Sequence, residues 1–567
     1  MARRFLVTSG LPYSNGRLHV GHLAGAYLPA DIFVRYLRSK GEDVLFVCGS
    51  DDNGVASLMS ARKEGVPVQD LVTRYNAFQK EDFSRVGVEF DVYGGTHHPD
   101  FVEMHERISQ GFFRSIHEKG FFEKKTSKQL YDVEAKQFLP DRYVEGTCPN
   151  CGNPDAHGDQ CDRCGSTYDQ IELIDPKSTV TGTTPELRET THWYLRLGEF
   201  ETPLREWLEA KREPHGDQPA WRDTVLNFAL GQIKQGLPER AMTRDLHWGV
   251  PVPLDDPDAE GKVLYVWFDA PIGYVSFTAQ HCADHGGDWK EYERWWKDSE
   301  TRIVHFIGED NTVFHALTWP AMMQAEGSYQ LPAQVVANSF LNVKLGDTEE
   351  KFSKSRGNAV WLGEFLNEFD PDPLRYYLTA IAPESARTAF DLADLVQRNN
   401  SELLGALGNY VNRTLTFLQR FYEGVVPELG ERDERDLAQL ARVAETQASM
   451  EKNLDAYRFK AALGDLMALA RETNAYFNDK EPWKVRKTDP AAGGTILNVC
   501  AQTVKGLAVL MAPFLPYSAE VTREMLALPE GSLRWQDATV ELPSGHVLGE
   551  PRLLFRQYEL SEEQPTD

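Results

Sequence analysis

Near the N-terminus, short apolar runs alternate with longer segments whose apolar positions recur at helical spacing. The runs Phe5–Ser9 and Val44–Val47 predict buried strands, and an amphipathic segment starts between them at His22. Strands that alternate with helices in this way are typical of a parallel sheet built from βαβ units. Ligands of such sheets bind beyond the carboxyl ends of the strands, so the turns at His19 and Asp51 form the expected binding edge.

The alternation stops after about residue 115. A glycine- and aspartate-rich segment with four cysteines follows, and strand–helix alternation resumes near Lys262–Asp269 and Ile303–Gly308. The simplest interpretation is an α/β nucleotide-binding fold that is split by an inserted domain.

The C-terminal part has a different pattern. Between about residues 389 and 528 the strand signals give way to long helical periodicity, as at Leu403, Leu407 and Val411, which predicts a helix bundle. The tail from Trp535 to Phe555 contains short strand-like pieces.

The composition is that of a soluble globular protein, with 41% hydrophobic and 26% charged residues among 567. That length suggests about four domains. No apolar run reaches the length of a membrane span, and Met1–Arg4 leads directly into the first strand and not into a signal peptide. We therefore expect a cytoplasmic protein without a membrane partner. Cys48, Cys282 and Cys500 are scattered and are expected to be core residues or free thiols.

The formal net charge of −26 argues against a general nucleic-acid binder, because phosphate contacts need local positive charge. A local basic stripe is nevertheless present, in which Arg398, Arg413 and Arg420 face a single acid, Glu402. We therefore expect nucleic-acid binding that is sensitive to salt and limited in footprint, with the acidic remainder repelling other RNA.

Two short segments that lie 329 positions apart indicate two halves of one ATP site. The H-x-G-H sequence at His19–His22 places two imidazoles at a helix N-terminus, where free N–H groups and the helix dipole favour phosphate. In the second segment, KFSKS at residues 351–355, Lys351 and Lys354 supply mobile cations. Alone, each segment is more simply a turn with ordinary histidines or a solvated loop; together, and in this order, they are a strong signal.

The four clustered cysteines form two C-x2-C pairs that are nine residues apart. This spacing suits a tetrahedral zinc site with four thiolates, and disulfides are unexpected in a chain without secretory features. Because no fifth ligand is evident, we expect one closed, structural Zn2+ site that fixes the tip of the inserted domain. The predicted ligands are Cys148, Cys151, Cys161 and Cys164.

Taken together, the two ATP segments resemble the signatures of class I aminoacyl-tRNA synthetases, and further motifs narrow the resemblance to the methionyl-tRNA synthetases. The likeness runs from about Arg4 to about Phe555. The motifs that carry it are LPYSNGRLHVGH at 11–22, GSDDNG at 49–54, RDLHWGVP at 244–251, WFDAPIGY at 267–274, FIGED at 306–310, Phe314-His315, Trp319-Pro320 and KFSKSRGN at 351–358.

The resemblance implies a class I Rossmann-type parallel sheet, split by a zinc-binding insertion and followed by an α-helical anticodon-binding domain. A C-terminal tail returns to the catalytic half, no dimerising domain is appended, and a monomer is expected. The predicted boundaries are 1–115 and 236–345 for the two halves of the catalytic domain, 116–235 for the insertion, 346–388 for the KFSKS loop and stem-contact region, 389–530 for the anticodon-binding domain and 531–567 for the tail, with Ser561–Asp567 disordered.

The resemblance also implies a two-step reaction: methionine and Mg2+-ATP give methionyl-adenylate and pyrophosphate, and the methionyl group then passes to the 3′ end of tRNA(Met), initiator tRNA included. It assigns catalysis to His19, His22, Lys351 and Lys354. ATP binding falls to the same four residues with Gly21, Gly308 and Asp310.

For L-methionine, the resemblance implies an apolar slot and a carboxylate, Asp51, for the α-ammonium. An aromatic slot suits a polarizable thioether, since sulfur–ring contacts contribute about 0.3–1.5 kcal/mol. Asn311 departs from the apolar residue that is common beside the slot, and Phe352 replaces the commoner methionine of the second signature. The slot residues are Leu11, Tyr13, Trp267, Ala270, Pro271, Tyr274 and His315.

In the predicted bundle, Asn409, Arg413 and Trp483 match the residues that read the CAU anticodon in that family. An amide and a guanidinium four residues apart share one helix face, and an unstacked base could lie on the indole. Without the resemblance, a solvated helix face and a core tryptophan would be the simpler interpretation.

Two alternatives remain open at this point. A class I synthetase for another amino acid, such as cysteine, would use zinc inside the pocket, which a closed four-cysteine site disfavours. A non-catalytic tRNA-binding relative would not need intact His19, His22 and Lys354. Amino-acid-dependent pyrophosphate exchange separates all three.

Overall fold

The structure is a computed structural model that describes residues 2–158, 161, 163–164, 166, 168–345, 348–352 and 359–559. Its centre is a five-stranded, fully parallel sheet with the strand order β5-β4-β1-β2-β3. Almost every residue of these strands is buried, as expected for a sheet with helices on both faces. The strands are β1 (Arg4–Ser9), β2 (Asp43–Ser50), β3 (Val92–Gly95), β4 (Thr301–Gly308) and β5 (Gln334–Asn338).

The predicted α/β fold class is therefore confirmed. The expected strands at Phe5–Ser9, Val44–Val47 and Ile303–Gly308 all lie in the sheet, and β1 pairs with β4 so that Ser9 is opposite Phe306. The helix expected from His22 begins two residues earlier. It runs as Val20–His22, a π-helical stretch Leu23–Tyr27 and Leu28–Ser39, and we call this run the signature helix.

Helices cover both faces of the sheet and lead towards the bundle. The helices of this half are α1 (Val55–Glu64), Val68–Arg85, Val102–Glu118, Glu201–Glu209, Asp223–Gln235, α2 (Val266–Asp284), Glu293–Trp296, Trp319–Glu326, α3 (Leu362–Glu368) and Pro371–Ala380.

An insertion between β3 and β4 splits the sheet in sequence, as predicted. Its main feature is a long antiparallel pair, Phe122–Asp132 with Glu186–Leu195, which carries a smaller sheet towards its tip. The small sheet consists of Val144–Thr147, Ala156–His157 and Ile174–Ser178, and it holds the four cysteines.

One expectation needs correction. The segment Lys262–Asp269 adds no strand to the parallel sheet: Val263–Leu264 pairs antiparallel with Thr243–Arg244, and the chain then enters α2. A short apolar run cannot by itself separate a strand from the start of a buried helix, and here the helix forms although it contains Pro271.

The predicted helix bundle is also confirmed. It begins with Leu392–Arg398 and a π-helical stretch, Asn399–Gly408. It continues with α4 (Asn409–Phe421), α5 (Glu434–Asp455), α6 (Phe459–Lys480), α7 (Pro482–Thr488), α8 (Pro490–Met511) and Pro516–Met525.

The helix α8 corrects the expectation that no apolar run reaches membrane-spanning length. The helix has 22 residues, and an 18-residue stretch of it has a mean hydropathy of 1.3, enough for a span by length and composition. This apolar stretch of the helix is, however, entirely buried inside the protein, as in the core helix of a bundle. It is the one helix of this kind among the described residues.

The bundle and the sheet share one continuous apolar core, and a buried ion pair joins them. Arg375, on the helix Pro371–Ala380, lies 2.7 Å from Asp31 on the signature helix. The same guanidinium donates a hydrogen bond of 2.9 Å to the carbonyl oxygen of Phe514 in the bundle. Both charged side chains are almost completely buried, so removing Asp31 would leave a buried guanidinium without its carboxylate. Removing Arg375 would leave Asp31 paired with Arg35 at 2.9 Å.

The tail packs back as expected but without regular strands. Trp535–Thr539 forms a short 3-10 helix, and Val547 makes an isolated bridge to Val425. The Tyr558 hydroxyl donates a hydrogen bond of 2.8 Å to Asp370, just before the helix Pro371–Ala380. The expected disorder of residues 561–567 lies outside the described residues, and the bounds of the six predicted segments stay predictions.

Candidate active site and tRNA-contact surface

The loops after β1 and β2 meet at the carboxyl edge of the sheet. Tyr13 and Asp51 form a parallel bridge, in which the Asp51 amide donates to the Pro12 carbonyl at 2.9 Å and the Ser14 amide donates to the Asp51 carbonyl at 3.1 Å. The first signature and the GSDDNG motif are therefore held against each other by backbone hydrogen bonds, which fixes the Asp51 side chain below the loop that carries Tyr13.

The Asp51 carboxylate is buried, and its Oδ1 atom accepts no hydrogen bond within the described part of the chain. Burial raises the pKa of Asp51 well above its usual value, and the nearby charges of Asp269 and Asp52 raise it further. A buried acceptor of this kind is costly unless a donor or a cation pairs with it. The site therefore has an open position for a cationic group.

A buried polar network surrounds Asp51. Asp52 accepts hydrogen bonds from the hydroxyls of Ser14 and Ser50 and from the backbone amide of His97. Burial raises the pKa of Asp52 to about 6, although these hydrogen bonds oppose the shift. The network holds the loop that carries Asp51 in a single arrangement.

The network continues to Asp269 on α2. Asn53 donates a hydrogen bond of 2.5 Å to Asp269 Oδ2, and His105 Nε2 lies 3.4 Å from the same oxygen. The sequence motifs contain Asp52, Asn53 and Asp269, but nothing in the pattern singled them out as a network, and His105 lies outside every motif.

The predicted slot residues gather beside Asp51. The Tyr13 ring is 6.4 Å from Trp267 in an edge-on arrangement, and Trp267 stacks on Phe314 at 3.8 Å with 4° between the planes. Leu11 lies against the backbone of Gly273, where an added Cβ would approach its methyl group to 3.2 Å. Phe314 belongs to one of the motifs above, but no local pattern predicts that its ring lies on Trp267.

His315 closes the far side of this group in its neutral form. Its Nδ1 atom lies 3.1 Å from the Asn311 carbonyl, which can only accept, so Nδ1 carries the proton and Nε2 accepts from the Tyr274 hydroxyl at 3.0 Å. Burial lowers the pKa of His315 to about 4. Ala270, Pro271 and Tyr274 are buried on α2 behind the slot.

At the start of the signature helix, the two predicted imidazoles cap the helix reciprocally. His19 Nδ1 accepts from the His22 amide at 3.3 Å, and His22 Nδ1 accepts from the His19 amide at 3.1 Å. Their rings stack at 3.6 Å. A Cβ on Gly21 would lie 2.9 Å from the Phe352 ring, so only glycine fits there. The helix N-terminus and both rings thus face one small region, a setting that favours anions.

The second signature reaches this same region. The Phe352 ring lies 5.1 Å from the His19 ring in a stacked arrangement. On the other side of the KFSKS loop, the Val20 amide donates to the Val360 carbonyl at 3.1 Å, and the Leu362 amide donates to the Leu18 carbonyl at 2.9 Å. Both described flanks of the loop therefore contact the His19–His22 turn, although the two signatures are more than 300 residues apart.

Of the two predicted lysines, the structure describes the backbone of Lys351. Lys351 ends the strand Thr348–Lys351, which pairs with Leu341–Leu345. Lys354 lies outside the described residues, as do the neighbouring positions 353–358. Gly308 ends β4 beside the first signature, and a Cβ added there would approach Asp310 Oδ1 to 2.8 Å. Asp310 follows directly in a 3-10 turn.

A second cluster lies on the bundle, far along the chain from the first. The Arg413 guanidinium lies 4.4 Å from the Phe477 ring and 5.9 Å from the Trp483 ring, and it donates a hydrogen bond of 3.0 Å to Asn478. Asn409 lies one turn before Arg413 on α4 and is partly exposed. Arg413 and Trp483 are therefore together at the surface; Phe477 and Asn478 were not identified from the sequence.

The basic stripe expected between residues 398 and 422 is only partly available. Arg398 pairs with Asp394 at 3.0 Å, and Glu402 accepts a hydrogen bond from the Tyr376 hydroxyl. Arg420 lies 5.2 Å from the Phe421 ring. Arg413 and Arg420 remain as the arginines of this stripe on α4.

The four cysteines come together as predicted. The Sγ atoms of Cys148 and Cys164 are 3.9 Å apart, those of Cys151 and Cys161 are 3.7 Å apart, and all four lie within 4.8 Å of one another. Tetrahedral thiolates about 2.3 Å from a zinc ion would be separated by about 3.8 Å. The Cys148 amide donates to the Asn153 carbonyl at 2.8 Å in a tight knuckle turn. The cluster therefore fits a four-coordinate metal ion.

Comparison with known proteins identifies relatives over nearly the whole chain. The family described as tRNA synthetases class I (M) matches residues 5–415, and the anticodon binding domain of methionyl tRNA ligase matches residues 426–566. Methionine–tRNA ligase of Bacteroides fragilis (strain YCH46) is 48% identical over 561 residues, 98% of this chain and 79% of that protein. The corresponding ligase of Parabacteroides distasonis is 47% identical over 559 residues, with the same coverage.

Solved structures give the same result. The structure of Mycobacterium tuberculosis methionyl-tRNA synthetase in complex with methionyl-adenylate superimposes with a TM-score of 0.79 at 25% identity, and the match covers 98% of this chain and 99% of that one. The free form of the same synthetase superimposes with a TM-score of 0.73 at 23% identity, which supports the fold alone.

Proposed function

Because this chain belongs to the methionyl-tRNA synthetase family of the class I aminoacyl-tRNA synthetases, we propose a residue-level account of its reaction. The chain is an aminoacyl-tRNA ligase that activates methionine with ATP and transfers it to tRNA. One observation carries the assignment of residues: the flanks of the KFSKS loop contact the His19–His22 turn. Histidines and lysines from distant segments can therefore act on one triphosphate.

In this proposal, Asp51 binds the α-ammonium of methionine. The Oδ1 atom, which has no donor among the described residues, accepts a hydrogen bond from the ammonium. The positive charge of the ammonium balances the negative charge of the buried carboxylate. The side chain then points into the slot between Leu11, Tyr13 and Trp267, where the thioether contacts aromatic faces. His315, neutral and bound to Tyr274, places no charge against the sulfur.

ATP lies along the start of the signature helix. Gly21 lets the purine approach the backbone, and His19 and His22 face the phosphates. Gly308 and Asp310 contact the ribose. Lys354 and Lys351 close on the β- and γ-phosphates when the KFSKS loop closes over bound ATP. ATP enters with Mg2+, as in the family.

The chemistry needs no side-chain nucleophile. A methionine carboxylate oxygen attacks the α-phosphorus in line, the bond to the β-phosphate oxygen breaks, and pyrophosphate leaves with the negative charge that Lys354 stabilises. A ribose hydroxyl of the terminal adenosine of tRNA then attacks the methionyl carbonyl, and AMP leaves. The protein supplies position and charge to both steps.

The four cysteines hold one structural Zn2+. Four thiolates complete a tetrahedral shell and leave no position for substrate. Cys148 and Cys161 belong to the same apolar cluster as Val55 and Leu246, so a metal held by the cysteines would support the helix α1 that follows the Asp51 loop. A role of the metal in stability is the simplest consequence.

On the bundle, Asn409, Arg413 and Trp483 read the CAU anticodon. The partly exposed Trp483 ring offers a stacking surface beside the Arg413 guanidinium, the arrangement that single-stranded RNA recognition uses. Because initiator and elongator tRNA(Met) share this anticodon, both are substrates. We further propose a cytoplasmic monomer.

The test is ATP–pyrophosphate exchange with each of the twenty amino acids, run alongside metal analysis. We expect exchange with methionine and one bound zinc per chain. Exchange with cysteine but not methionine would assign the chain to another class I synthetase. No exchange with any amino acid, together with binding of tRNA, would identify a non-catalytic tRNA-binding protein.

A further inference from the structure

Arg222, at the end of a loop in the insertion, contacts three other parts of the molecule. Its partly buried guanidinium donates to the Ala337 carbonyl at 2.9 Å, to Asn338 Oδ1 at 2.8 Å and to the Glu384 carbonyl at 3.1 Å. It also donates to the Tyr457 carbonyl at 2.8 Å. One side chain thus joins the insertion, the end of β5, the loop after the helix Pro371–Ala380 and the turn between α5 and α6 of the bundle.

The turn that Arg222 holds is unusual. Tyr457 has a positive φ of 56°, a strained conformation that bulky residues rarely adopt. Its ring is buried against Phe33 of the signature helix, at 4.9 Å. The strained turn therefore keeps its shape only because the surrounding contacts fix it, and the Arg222 hydrogen bond is the one that fixes its carbonyl.

From the same guanidinium, hydrogen bonds continue to the ATP region. Asn338, which accepts from Arg222, donates through Nδ2 to the Ala24 carbonyl at 3.1 Å. Ala24 lies in the π-helical stretch directly after His22. π-Helical turns concentrate at functional sites, because they leave backbone groups free for other partners. The bundle turn, Arg222, β5 and the signature helix thus form one connected path.

A second contact secures the same turn without Arg222. The first amides of α6 have no side-chain cap from Arg458, which precedes the helix. Instead, Glu384 accepts a hydrogen bond of 2.9 Å from the Lys460 amide. A carboxylate at a helix N-terminus is stabilising, so the bundle keeps one anchor if the other is removed.

We propose that Arg222 is a positioning residue for tRNA aminoacylation. It sets the orientation of the bundle relative to the active-site edge of the sheet, so that reading of the anticodon is transmitted into efficient transfer at the 3′ end. Adenylate formation uses the catalytic half, in which the hydrogen bond from Asn338 to the Ala24 carbonyl does not involve the Arg222 side chain, so pyrophosphate exchange should change little when Arg222 is replaced. The inference rests on the proposed anticodon role of the bundle.

The experiment compares Arg222→Met and Arg222→Lys with the unmodified protein in two reactions. Pyrophosphate exchange is measured with the KM values for methionine and ATP. Aminoacylation is measured with native tRNA(Met) and with a tRNA(Met) whose anticodon is changed. Arg212→Met, at an exposed arginine of the same insertion that pairs with the surface residue Glu209 at 2.6 Å, is the matched control.

We expect R222M to lower kcat/KM for native tRNA about tenfold, within the range of measured coupling effects. Charging of the tRNA with the changed anticodon and all exchange parameters should stay within about twofold. R222K, which keeps the charge but cannot reach all four acceptors, should fall between R222M and the unmodified protein. A general loss of folded protein would lower the rates of all reactions together. It would not selectively remove the preference of aminoacylation for the native anticodon.

Other outcomes overturn the inference. If R222M keeps the full preference for the native anticodon, or if exchange falls as much as charging, Arg222 does not position the bundle. If the unmodified protein charges both tRNAs equally, the proposed anticodon role fails and this inference with it. Should R222M not fold, Glu384→Ala removes the other anchor and leaves the guanidinium in place; an unchanged anticodon preference in both E384A and R222K would also overturn the proposal.

Discussion

In the role proposed for it, Asp51 is destabilised in the free protein and is stabilised when the ammonium of methionine binds. Its carboxylate is buried with an open oxygen, and two neighbouring carboxylates raise its pKa. A buried charge without a partner is costly, and a ligand ammonium removes that cost. The free-energy gain on binding is therefore concentrated at the group that every amino acid carries, while the slot selects the side chain.

The first prediction concerns protons. Burial and the charges of Asp269 and Asp52 raise the pKa of Asp51, whereas a bound ammonium would lower it again. Methionine binding should therefore release a proton, and methionine affinity should fall as the pH falls. Calorimetric titration in two buffers with different ionisation enthalpies measures the released proton. Proton uptake on binding, or an affinity that rises with acidity, would contradict the assignment.

The second prediction concerns Lys354. Lys354→Ala should slow adenylate formation by about 10²–10³-fold, the size of effect seen when one group that stabilises transition-state charge is removed. Methionine affinity should hardly change, because in the proposed reaction Lys354 binds the phosphates of ATP and does not contact methionine. Single-turnover adenylate formation and equilibrium methionine binding measure the two quantities. Lys344→Ala, on an exposed lysine that pairs with Asp391 at 2.8 Å, is the control. A large loss of methionine binding would contradict the role.

At this scale the sequence predicted residues that lie in motifs and missed those that act through packing. His19, Asp51 and Trp267 stand in recognisable strings, and so could be named. Phe314 against Trp267 and His105 against Asp269 depend on contacts between distant segments, which no local pattern encodes. The same is true of Asn478, which reaches Arg413 from a different helix.

Among the elements, the short helix α7 shows how one side chain is presented. Glu481 adopts a positive φ of 42°, and this turn ends the long helix α6. Pro482 then starts α7, and the change of direction places Trp483 near Arg413. Proline suits the first turn of a helix because the missing N–H would have no partner there. The break between the two helices thus places an indole at the surface that a continuous helix would place elsewhere.

The third prediction tests this element. Trp483→Ala should lower kcat/KM for charging of tRNA(Met) by about 10–100-fold, since base–aromatic stacking contributes about 1–3 kcal/mol per base. Pyrophosphate exchange should be unchanged, because the ring lies on the bundle. Trp289→Ala, in a 3-10 turn of the catalytic half, is the control. Equal losses in both assays would make Trp483 a core residue.

The fourth prediction tests the metal site. Cys151→Ser should lower the zinc content well below one per chain and lower the midpoint of thermal unfolding, because a structural metal contributes directly to folding free energy. Cys282→Ala, at a buried cysteine outside the cluster, should keep the zinc. Metal analysis and thermal unfolding of the two variants decide the matter. A full zinc equivalent in C151S would show that the cluster does not hold the metal.

Elements were predicted well where their periodicity was long and poorly where an apolar run was short. Phe5–Ser9 and the bundle helices have unambiguous patterns. Lys262–Asp269 does not, because a short apolar run satisfies a strand and a buried helix equally, and only packing against β2 and β3 decides for α2. The apolar length of α8 is likewise explained by complete burial, which composition alone does not show.

For the whole molecule, the charge distribution decides how tRNA can bind. The net charge of −26 repels nucleic acid at long range, so contacts must be few and local. Arg398 is already paired with Asp394 and Lys484 with Glu481, so the other basic groups of α4 and α7 near Trp483 are Arg413, Arg420, Arg486 and Lys487. Such a surface contacts few phosphates.

The fifth prediction follows from the small number of basic groups on this surface. If about three phosphates are contacted, the logarithm of tRNA affinity should fall against the logarithm of salt concentration with a slope of about −2 to −3. Pyrophosphate exchange over the same salt range is the internal control and should change much less. A slope near zero, or one steeper than about −6, would be inconsistent with a small basic footprint on an acidic protein.

The order of strands and helices along the chain could be predicted from the sequence. Which strands lie next to each other in the split sheet could not. The alternation before and after the insertion indicates two halves of one fold. Periodicity does not predict contacts between distant segments. Two examples are the pairing of β1 with β4 as well as β2, and the packing of the bundle turn at Tyr457 on the signature helix.

The pairing of β1 with β4 also has a consequence for biosynthesis. Thr8 and its partner His305 are 297 positions apart, and a ribosome that adds about 5–20 residues per second needs roughly 15–60 s to make the second after the first. During that time the central strand has an unpaired edge, which is a template for intermolecular association. Until the insertion and then β4 have emerged from the ribosome, the exposed strand edge of the nascent chain therefore needs to be covered, either by helices that have already formed or by chaperones.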